Sequence, residues 1–560
     1  MSDPVRLRPV DPARAAALGR ELGLGATIAQ VLLHRGAADA ASASAFLAPK
    51  LRDLSDPQSM CGLEAAVERI ASAIERRERI VVFGDYDVDG TTSAAILALA
   101  IEAFGGEVRA LVANRFEGGY GLSELALDRC LSLSPALLVT CDCGSSDHER
   151  VERARARGVD VIVIDHHLVP EEPLPAFAFL NPHKPSCGFP YKGLASAGLA
   201  FVVAARLRHR FAPSFDVKDL LDLVALGTIA DVAPLDGDNR RLVRAGLEQL
   251  DKTARPGLKA LMKLAGVRPG RGLGGRDVAF RLAPRLNAAG RLGDPSVTLA
   301  LLLERDELRA RARAEDIEAK NKKRREIEAE VTKEAIEAVR RIYGERPTHG
   351  VVVDGKGWHP GVLGITAARL VERFGVPAVV LGHEGDEATG SGRTLDGFDL
   401  HAAFVRSAVE LLRFGGHASA AGLTLRVDRI EAFRALFADA TRELPRTGAR
   451  PIDVDVEIGG AFDLPRVDEL RALEPVGEGN PAPRFSLPSV VEEAKPVGEG
   501  GAHLKLRLRV GRRFLSAFVP NHEGPAPTPG ARVRAVGELG PDAYRGGDAI
   551  ELSVQRLFAD

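Results

Sequence analysis

Between residues 80 and 231 the sequence repeats one pattern, in which a short apolar, β-branched run ends in acidic residues and a helical stretch follows. Three of these runs read RIVVFGDYD, ALLVTCDCG and VDVIVIDHH. Strands that alternate with helices predict a parallel α/β sheet. Because ligands bind such sheets at the carboxyl ends of the strands, the acidic residues lie where chemistry is expected.

A different pattern extends from Glu304 to Arg346, which is rich in strong helix formers and in opposite charges three or four residues apart. It predicts a long connecting helix. The basic stretch NKKRR that begins at Asn321 is either a solvated face of this helix or a phosphate contact, and a solvated face is the commoner case.

The last third of the chain changes pattern twice. The strand GVVVD at Gly350 opens a glycine-rich α/β segment, and a break with Pro and Arg around Leu444 to Pro451 precedes short alternating runs typical of a β-barrel with the OB fold. The predicted fold class is α/β, with a parallel-sheet domain, a connecting helix, a smaller α/β domain and an OB barrel. The predicted limits are 1–303 for the N-terminal segment and catalytic domain, 304–346, 347–446 and 451–560.

Composition adds limits on the class of protein. A chain of 560 residues with 45% hydrophobic and 27% charged side chains is expected to fold into several globular domains. The formal net charge of -2 gives no whole-chain support for a nucleic-acid partner, so any basic surface must be local. The longest nearly apolar stretch, Gly193 to Ala205, is too short for a membrane span, and the start lacks a signal-peptide core. We therefore expect a cytoplasmic protein that does not bind membranes.

The five cysteines are an odd number, which argues against a disulfide framework. Cys141 and Cys143 flank Asp142, but no second cysteine pair follows at a spacing that would complete a zinc site. We expect these two cysteines to be small, buried strand residues.

Three carboxylates, those of Asp85, Asp87 and Asp89, alternate in the segment GDYDVDGTTS. Packing them together costs free energy unless cations neutralise them. A calcium-binding EF-hand loop also begins with alternating acids, but it closes with Glu at position twelve, where this chain has Ile96. The strand before Asp85 also argues against an EF-hand.

Further candidate ligands follow the other apolar runs, and they are Asp142, Asp165, His166, His167 and Asp231. Two adjacent histidines after an aspartate are better explained as metal ligands than as structural residues. Oxygen and imidazole donors suit Mn²⁺ or Mg²⁺ better than structural zinc, although zinc remains an alternative. So many ligands exceed one octahedral shell, and two-metal sites stabilise the attacking and leaving oxygens of phosphoester hydrolysis.

Taken in order, DYDVDG, the Asp142 run, DHH and GTIADVAPL resemble the four motifs of the DHH phosphoesterase superfamily. The segments GWHPGVLGITAARL, GSGRT and FGGHASAAGL resemble the DHH-associated domain, and LEPVGEGNPAPRF resembles the start of the RecJ OB domain. Within the superfamily, the chain from about Glu64 onward is most similar to the RecJ exonucleases.

This resemblance implies a site with two divalent ions, Mn²⁺ or Mg²⁺, and catalytic residues that include Asp165. The implied metal ligands are Asp87, Asp89, Asp142, His166, His167 and Asp231, with Asp85 as a ligand or a neighbour of one. The implied contacts to DNA and its 5′-phosphate are Arg115, Tyr120, Arg285, Asn287, Arg291, Ser391, Arg393, Gly415, Gly416 and His417. From the residues alone, Gly415 to His417 would equally be a tightly packed helix start, and an arginine is usually a solvated surface group.

The implied activity is 5′-to-3′ hydrolysis of single-stranded DNA to 5′-mononucleotides in recombination and repair. The implied protein is a monomer that works with single-strand-binding protein and a RecQ-type helicase. One alternative is a DHH phosphodiesterase for short oligonucleotides or cyclic dinucleotides, which needs no terminal barrel. Another is a non-catalytic DNA-binding scaffold, which would tend to lose metal ligands. Trp358, the only tryptophan, can stack on a base or pack under the connecting helix.

Overall fold

The computed structural model describes residues 5–211, 214–270, 272–395, 397–442, 451–522, 524–542, 545 and 547–559. The elements up to residue 303 are β1 (Val5–Leu7), α1 (Pro12–Leu22), α2 (Ala26–His34), α3 (Ala40–Leu47), α4 (Leu63–Glu75), β2 (Ile80–Gly84), α5 (Val88–Ala103), β3 (Val108–Val112), α6 (Glu124–Ser132), β4 (Leu137–Cys141), α7 (His148–Ala156), β5 (Asp160–Ile164), β6 (Ala178–Leu180), α8 (Ser196–Phe211), α9 (Leu221–Ala230), α10 (Gly237–Asp251), α11 (Pro256–Leu264), α12 (Gly275–Asp277), α13 (Ala283–Leu292) and α14 (Ser296–Leu303).

The remaining elements are α15 (Glu307–Tyr343), β7 (Val351–Lys356), α16 (Pro360–Phe374), β8 (Ala378–His383), β9 (Glu387–Arg393), α17 (Leu400–Arg406), β10 (Leu411–Gly416), β11 (Ala420–Arg426), α18 (Ile430–Arg442), β12 (Ile452–Val454), β13 (Val456–Glu457), α19 (Val467–Ala472), β14 (Arg484–Val497), β15 (His503–Val510), β16 (Arg513–Val519), β17 (Arg532–Pro541) and β18 (Ile550–Ala559). A π-helical turn, Val278–Leu282, precedes α13.

The catalytic sheet is parallel throughout, with strand order β3-β2-β4-β5-β6, as the alternating pattern predicts. Its central strands β2 and β4 are buried along their whole length, because helices cover both faces and leave no place for polar side chains. The helix α5 is buried on nearly all sides and packs against α8 and α9. This packing fixes the carboxyl ends of the strands in a rigid frame.

Helix α15 connects the catalytic domain to the second α/β domain and is 37 residues long, or about 55 Å at the α-helical rise. The long connecting helix is thus confirmed. The basic stretch on this helix is partly buried and partly exposed. Asn321 and Arg324 are buried, whereas Lys322 and Lys323 are exposed. Trp358 is buried, and its indole nitrogen donates to Glu334 of this helix at 2.7 Å. The tryptophan therefore packs under the connecting helix and presents no face to a base.

The second domain has a mixed five-stranded sheet of order β10-β11-β9-β8-β7. The last domain is a closed barrel in which β14 pairs with both β15 and β17, and β18 lies between β16 and β17. This closure confirms the predicted OB fold. The predicted break between the two domains lies mostly at 443–450, outside the described residues.

The helices near the start of the chain pack on the barrel rather than on the catalytic sheet. Ile28 and Leu32 of α2 share one hydrophobic core with Phe485 and Leu506 of the barrel, and β1 pairs in parallel with β12. The buried side chain of Arg240 in α10 donates to the main-chain oxygens of residues 46, 473, 474 and 475. The barrel is thereby tied to the catalytic domain. The domain limits drawn from the sequence stay a prediction.

The structure contains no disulfide among the five cysteines, all of which it describes. Cys141 and Cys143 are fully buried, as predicted, but only Cys141 is a strand residue, because β4 ends there and Cys143 lies in the segment that follows. Within the described residues, none of the helices combines the length and the apolar character that crossing a membrane requires.

Candidate active site

The register of the parallel sheet brings the acidic residues together. Gly84, Cys141 and Ile164 are register partners at the ends of β2, β4 and β5. The next residue along each strand is Asp85, Asp142 or Asp165. Three carboxylates therefore meet at one edge of the sheet, as the carboxyl-end rule predicts.

The turn after β2 depends on two glycines. A Cβ at Gly84 would collide with the main-chain oxygen of Gly90, and a Cβ at Gly90 would lie 2.6 Å from the oxygen of Asp85. This close contact between strand and helix lets Asp87 cap α5, where its side chain accepts the amide of Gly90 at 3.0 Å. Asp85 accepts the amide of Gly121 at 3.2 Å.

Asp142 has a left-handed backbone, with φ of +63°, just after β4. Aspartate tolerates this conformation better than most side chains. Its main-chain oxygen accepts a hydrogen bond from the Tyr120 hydroxyl at 2.9 Å, and its Oδ1 accepts one from Ser196 at 3.2 Å. These contacts hold the carboxylate toward the other acids.

Asp165 orients the two histidines that follow it. Its carboxylate accepts the amides of His166, at 2.8 Å, and His167, at 3.2 Å, and lies 2.7 Å from Nδ1 of His167. The amide of Ser145 completes the set at 3.1 Å. Three of these contacts are to Oδ1 and hold the two histidines next to Asp165. The catalytic part expected of Asp165 stays a prediction.

Asp89 and Asp231 approach from two helices packed side by side. Asp89 accepts the amides of Ser196 and Ala197, at 2.7 and 2.9 Å, at the start of α8. Gly227 of α9 has no room for a side chain, since its Cβ would lie 2.6 Å from Asp89 Oδ1. This close packing brings the end of α9, and Asp231 with it, to the cluster.

Candidate ligand atoms form three overlapping groups, each within 4.8 Å, and they are Asp142, His166 and His167; Asp89, His166 and Asp231; and Asp85, Asp87 and Asp142. The Nε2 atom of His166 is buried without a hydrogen-bond partner among the described residues. It lies 3.2 Å from Asp142 Oδ1 and 3.8 Å from Asp231 Oδ2. A buried imidazole nitrogen that faces carboxylates fits a divalent cation, and the overlapping groups provide for two.

The pKa values of these groups are shifted by burial and by the excess of negative charge in the cluster. Burial and neighbouring carboxylates raise the pKa of Asp89 to about 7 and of Asp231 to about 8, and they raise that of Asp142 as well. Burial and the His167 charge lower the pKa of His166 to about 4. Burial opposes protonation of His167, but the hydrogen bond and charge of Asp165 raise its pKa to about 9. Without cations the cluster repels itself, which divalent ions would relieve.

A cluster of guanidinium groups lies beside the acids. The guanidinium of Arg115 stacks on the ring of Tyr86, 4.7 Å from its centroid, and Tyr86 stands between Asp85 and Asp87. Burial and the charges of Arg115, Arg324 and Arg393 lower the pKa of Arg291 to about 10. The Nε atoms of Arg115 and Arg324 are buried without a hydrogen-bond partner among the described residues. Arg324 is paired with Glu328 at 2.7 Å, but among the described residues no ion pair neutralises Arg115, Arg291 or Arg393, and this positive charge fits an anionic ligand.

Three of the residues predicted to contact DNA, Ser391, Arg393 and Asn287, lie near this cluster, and Tyr120 does not. Arg393 donates from Nη1 to the Ser391 hydroxyl at 2.8 Å, and burial together with the charge of Arg115 lowers the pKa of Arg393. Asn287 lies in a cleft between the catalytic domain and the barrel. Tyr120 contacts the acid cluster rather than the arginines, because its hydroxyl lies 3.0 Å from Nδ1 of His167.

The other predicted contacts lie elsewhere. Arg285 binds Glu318 of α15 and donates to the main-chain oxygen of Arg281 at 2.6 Å, so its guanidinium links α13 to the connecting helix. Gly415 and Gly416 are the exposed last residues of β10 and pair with β11, and His417 begins the turn between the two strands. None of the hydrogen bonds found in the described residues joins these three residues to the acids. Their part in binding DNA stays a prediction.

Three residues of the site, Tyr86, Ser196 and Gly227, were not predicted from the sequence, whereas Arg324 lies in the basic stretch NKKRR that was considered as a phosphate contact. Tyr86 carried a signal, because it lies between two of the acids. The other two contact the site only through the packing of helices distant in sequence.

Comparisons with known proteins agree with this architecture. The DHH family, N-terminal domain, matches residues 79–228, the DHHA1 domain matches 348–443, and the RecJ OB domain matches 452–556. The single-stranded-DNA-specific exonuclease RecJ of Dickeya dadantii is 38% identical over 537 residues, which cover 91% of this chain and 92% of that protein.

Two solved structures of RecJ from Thermus thermophilus share the whole fold. The complex with Mn²⁺ superposes with a TM-score of 0.82 at 30% identity, covering 100% of this chain and 80% of that one. The complex with Mg²⁺ gives 0.77 at 29% identity, covering 100% and 79%. With its three domains in the same order and a relative 38% identical along nearly the whole of both sequences, the chain belongs to the RecJ family.

Proposed function

We propose that this protein is a 5′-to-3′ exonuclease that hydrolyses single-stranded DNA to 5′-mononucleotides with two Mn²⁺ or Mg²⁺ ions. One observation carries the proposal: Arg115 of the guanidinium cluster stacks on Tyr86, which stands between Asp85 and Asp87 of the acid cluster. The guanidinium cluster, which suits an anion, is thus next to the acid cluster, which suits cations. A terminal phosphate bound by the arginines would place the adjacent phosphodiester at the acid cluster.

In this proposal two ions are held by Asp87, Asp89, Asp142, His166, His167 and Asp231, with Asp85 beside them. When bound, the ions supply Lewis-acid stabilisation of the charge that develops on the phosphate oxygens. Asp165 holds the His167 ring through Nδ1 at 2.7 Å, which fixes the orientation of this imidazole beside Asp142. Tyr120 and Ser196 hold Asp142 through its main-chain oxygen and its Oδ1.

The polarity of cleavage would come from the guanidinium cluster. Arg115, Arg291 and Arg393 are rigid donors with planar forks, which suit the oxygens of a terminal phosphate. An internal phosphodiester carries one charge, whereas a terminal phosphate carries nearly two at neutral pH, so the surplus positive charge favours an end. Because the acid cluster is adjacent, the first internucleotide bond would be cut and one nucleotide released.

Two alternatives are less well supported. Phosphodiesterases for very short or cyclic dinucleotides need no OB barrel, whereas this chain has a closed barrel tied to the catalytic domain through Arg240. A scaffold without activity would not need the buried His166 Nε2 directed at three carboxylates.

We also propose that the protein acts as a cytoplasmic monomer in recombination and repair, together with single-strand-binding protein and a RecQ-type helicase. Family membership supports this setting. Co-purification of these two proteins with the tagged chain from cells, and the mass of the purified chain in sedimentation, test it. Recovery of neither partner, or a mass of two chains, would contradict the corresponding part.

The test of the activity is digestion of single-stranded DNA labelled at either end, with Mn²⁺, Mg²⁺ or a chelator. We expect the 5′ label to leave first as a mononucleotide, only with metal, and not with Asp142→Ala. Asp128→Ala, which removes an exposed carboxylate outside the cluster, is the matched control and should digest normally. Blunt duplex DNA degraded as fast as single strands would overturn the claim of strand selectivity, and cleavage restricted to short oligonucleotides would favour the rival phosphodiesterase.

A further inference from the structure

A cleft of about 530 Å³ runs between the catalytic domain and the barrel. Its lining includes Asn287, Arg291 and Arg324, so the cleft reaches the guanidinium cluster. The same lining contains apolar side chains, among them Val232 and Phe280, together with the ion pair of Arg276 and Glu538. The cleft is therefore continuous with the proposed site and offers both cationic and apolar surface.

Phe280 lines the cleft and is 71% exposed. Its ring is therefore available to a ligand, and covering it would be favourable because apolar surface would leave water. Phe280 belongs to the π-helical turn Val278–Leu282, and such turns recur at functional sites. The turn leaves Val278 and Leu282 in the core while the ring of Phe280 points outward.

A contact between domains holds this ring in place. The guanidinium of Arg276 lies over the Phe280 ring, 6.0 Å from its centroid, and forms an ion pair with Glu538 of the barrel. Glu538 is in turn fixed by Gln555, which donates to it at 2.9 Å. The ring is thus supported from one side, and one face of the cleft is built from both domains.

Val232 supplies a second apolar surface in the same cleft. It is 64% exposed and has a left-handed backbone, with φ of +61°. That conformation is rare for a β-branched residue, and its strain is the kind that persists at ligand sites. Because Val232 directly follows Asp231, the apolar surface begins at the acid cluster itself.

We propose that Phe280, with Val232 in the same cleft, is a platform on which a base of the single strand stacks as the DNA leaves the acid cluster in the 3′ direction. This inference rests on the proposed function, since it places a single strand in the cleft. The aromatic ring would stack on a base while nearby arginines contact the phosphates. Such stacking accepts bases of any sequence, because each base has a π face. Phe280 is thus a positioning residue, which holds the strand and does not touch the reacting atoms.

The test measures binding in the presence of a chelator, so that it does not depend on hydrolysis. A 5′-phosphorylated, fluorescently labelled strand of about 20 nucleotides is titrated with the natural protein, Phe280→Ala, Phe280→Trp and, as a matched control, Phe177→Ala. Phe177 is an exposed phenylalanine outside the cleft. We expect Phe280→Ala to weaken binding about ten-fold or more, which is the effect of losing one base stack, and Phe280→Trp and Phe177→Ala to leave it nearly unchanged.

A second arm locates the base. Strands with a single abasic site, moved one nucleotide at a time away from the 5′ end, are bound by the natural protein and by Phe280→Ala. We expect one abasic position to weaken binding to the natural protein and to have no further effect in Phe280→Ala. Equal losses at every position in both proteins, or normal binding by Phe280→Ala, would overturn the platform while leaving the nuclease activity intact. Failure of the natural protein to bind the strand would overturn the platform, whereas Phe280-dependent binding in the chelator with no hydrolysis after Mn²⁺ is added would overturn only the nuclease.

Discussion

The hydroxyl of Tyr120 donates a 2.9 Å hydrogen bond to the main-chain oxygen of Asp142, the residue that turns the backbone at the end of β4. The same hydroxyl lies 3.0 Å from Nδ1 of His167. Tyr120 belongs to the loop that also carries Arg115. One short loop therefore contacts the acid cluster through Tyr120 and contributes Arg115 to the guanidinium cluster.

Replacement of Tyr120 by Phe removes this hydrogen bond and keeps the ring. We expect kcat on single-stranded DNA to fall about 3- to 10-fold, the effect of one hydrogen bond, with little change in KM. Tyr343→Phe removes a comparable hydroxyl, 3.2 Å from the oxygen of Val352 in the second domain, and should leave kcat unchanged. An unchanged kcat for Tyr120→Phe would show that Asp142 holds its orientation without this contact.

The guanidinium cluster predicts a preference for 5′-phosphorylated ends. Replacement of Arg393 by Ala should lower kcat/KM on 5′-phosphorylated strands roughly 10- to 100-fold, because a charge-assisted hydrogen bond is lost, and should hardly affect 5′-hydroxyl strands. Arg373→Ala, which removes an exposed arginine in the last turn of α16, is the matched control. An equal loss of kcat/KM on both substrates would show that Arg393 supports the fold and does not bind the 5′ end of the strand.

The stability of the metal-free protein should fall overall as the pH rises from about 4 to 9. The reason is that the raised pKa values of several carboxylates and of His167 outweigh the opposite contribution of His166, whose pKa is lowered from 6.5 to about 4. The raised pKa values of Asp89, about 7, and Asp231, about 8, mean that the folded state binds more protons than the unfolded state between the ordinary carboxyl pKa and these values. His167, with a pKa of about 9, contributes stability that is fully present below its ordinary pKa and is lost as the pH passes 9.

Thermal unfolding in a chelator at several pH values tests this dependence. We expect a melting temperature that drops as the pH rises toward about 9, a smaller drop for Asp231→Asn, and recovery on addition of Mn²⁺ that is larger at high pH, because protons and metal compete. A melting temperature that rises with pH would show that the acids are already ionised in the metal-free fold.

The tight packing of Gly227 predicts the effect of a single methyl group. Gly227→Ala would press on Asp89 and on Thr92, both fully buried, and should lower the free energy of unfolding by about 1–3 kcal/mol and weaken metal binding. Gly198→Ala in α8 is the matched control, since its nearest neighbour is the flexible end of Leu194 at 3.1 Å. Chemical denaturation and Mn²⁺ titration measure both effects, and a stable Gly227→Ala that binds metal normally would contradict the packing argument.

Much of the acid cluster was predictable because strand order and register follow local rules. Asp85, Asp142 and Asp165 each follow an apolar strand, and a parallel sheet brings such positions together whatever the loops do. The long helix α15 and the alternating barrel strands carry equally local signals.

What escaped prediction depends on contacts between distant elements. Nothing near Arg285 indicates that Glu318 of α15 would occupy its guanidinium, and nothing near Ser196 indicates that the start of α8 would meet Asp89. Likewise, the apolar faces of α1 to α3 are evident in the sequence, but their partner, the barrel, is not.

This last pairing has a consequence for synthesis of the protein. Helix α2 leaves the ribosome more than four hundred residues before the barrel strands that bury Ile28 and Leu32. Before those strands are made, the apolar surface of α2 on the nascent chain stays exposed. The catalytic domain is not affected in this way, because the residues of its core do not come from the barrel. Chaperones that bind apolar segments would therefore stay bound longest at the start of the chain. This start would also be among the last parts of the chain to become resistant to proteolysis.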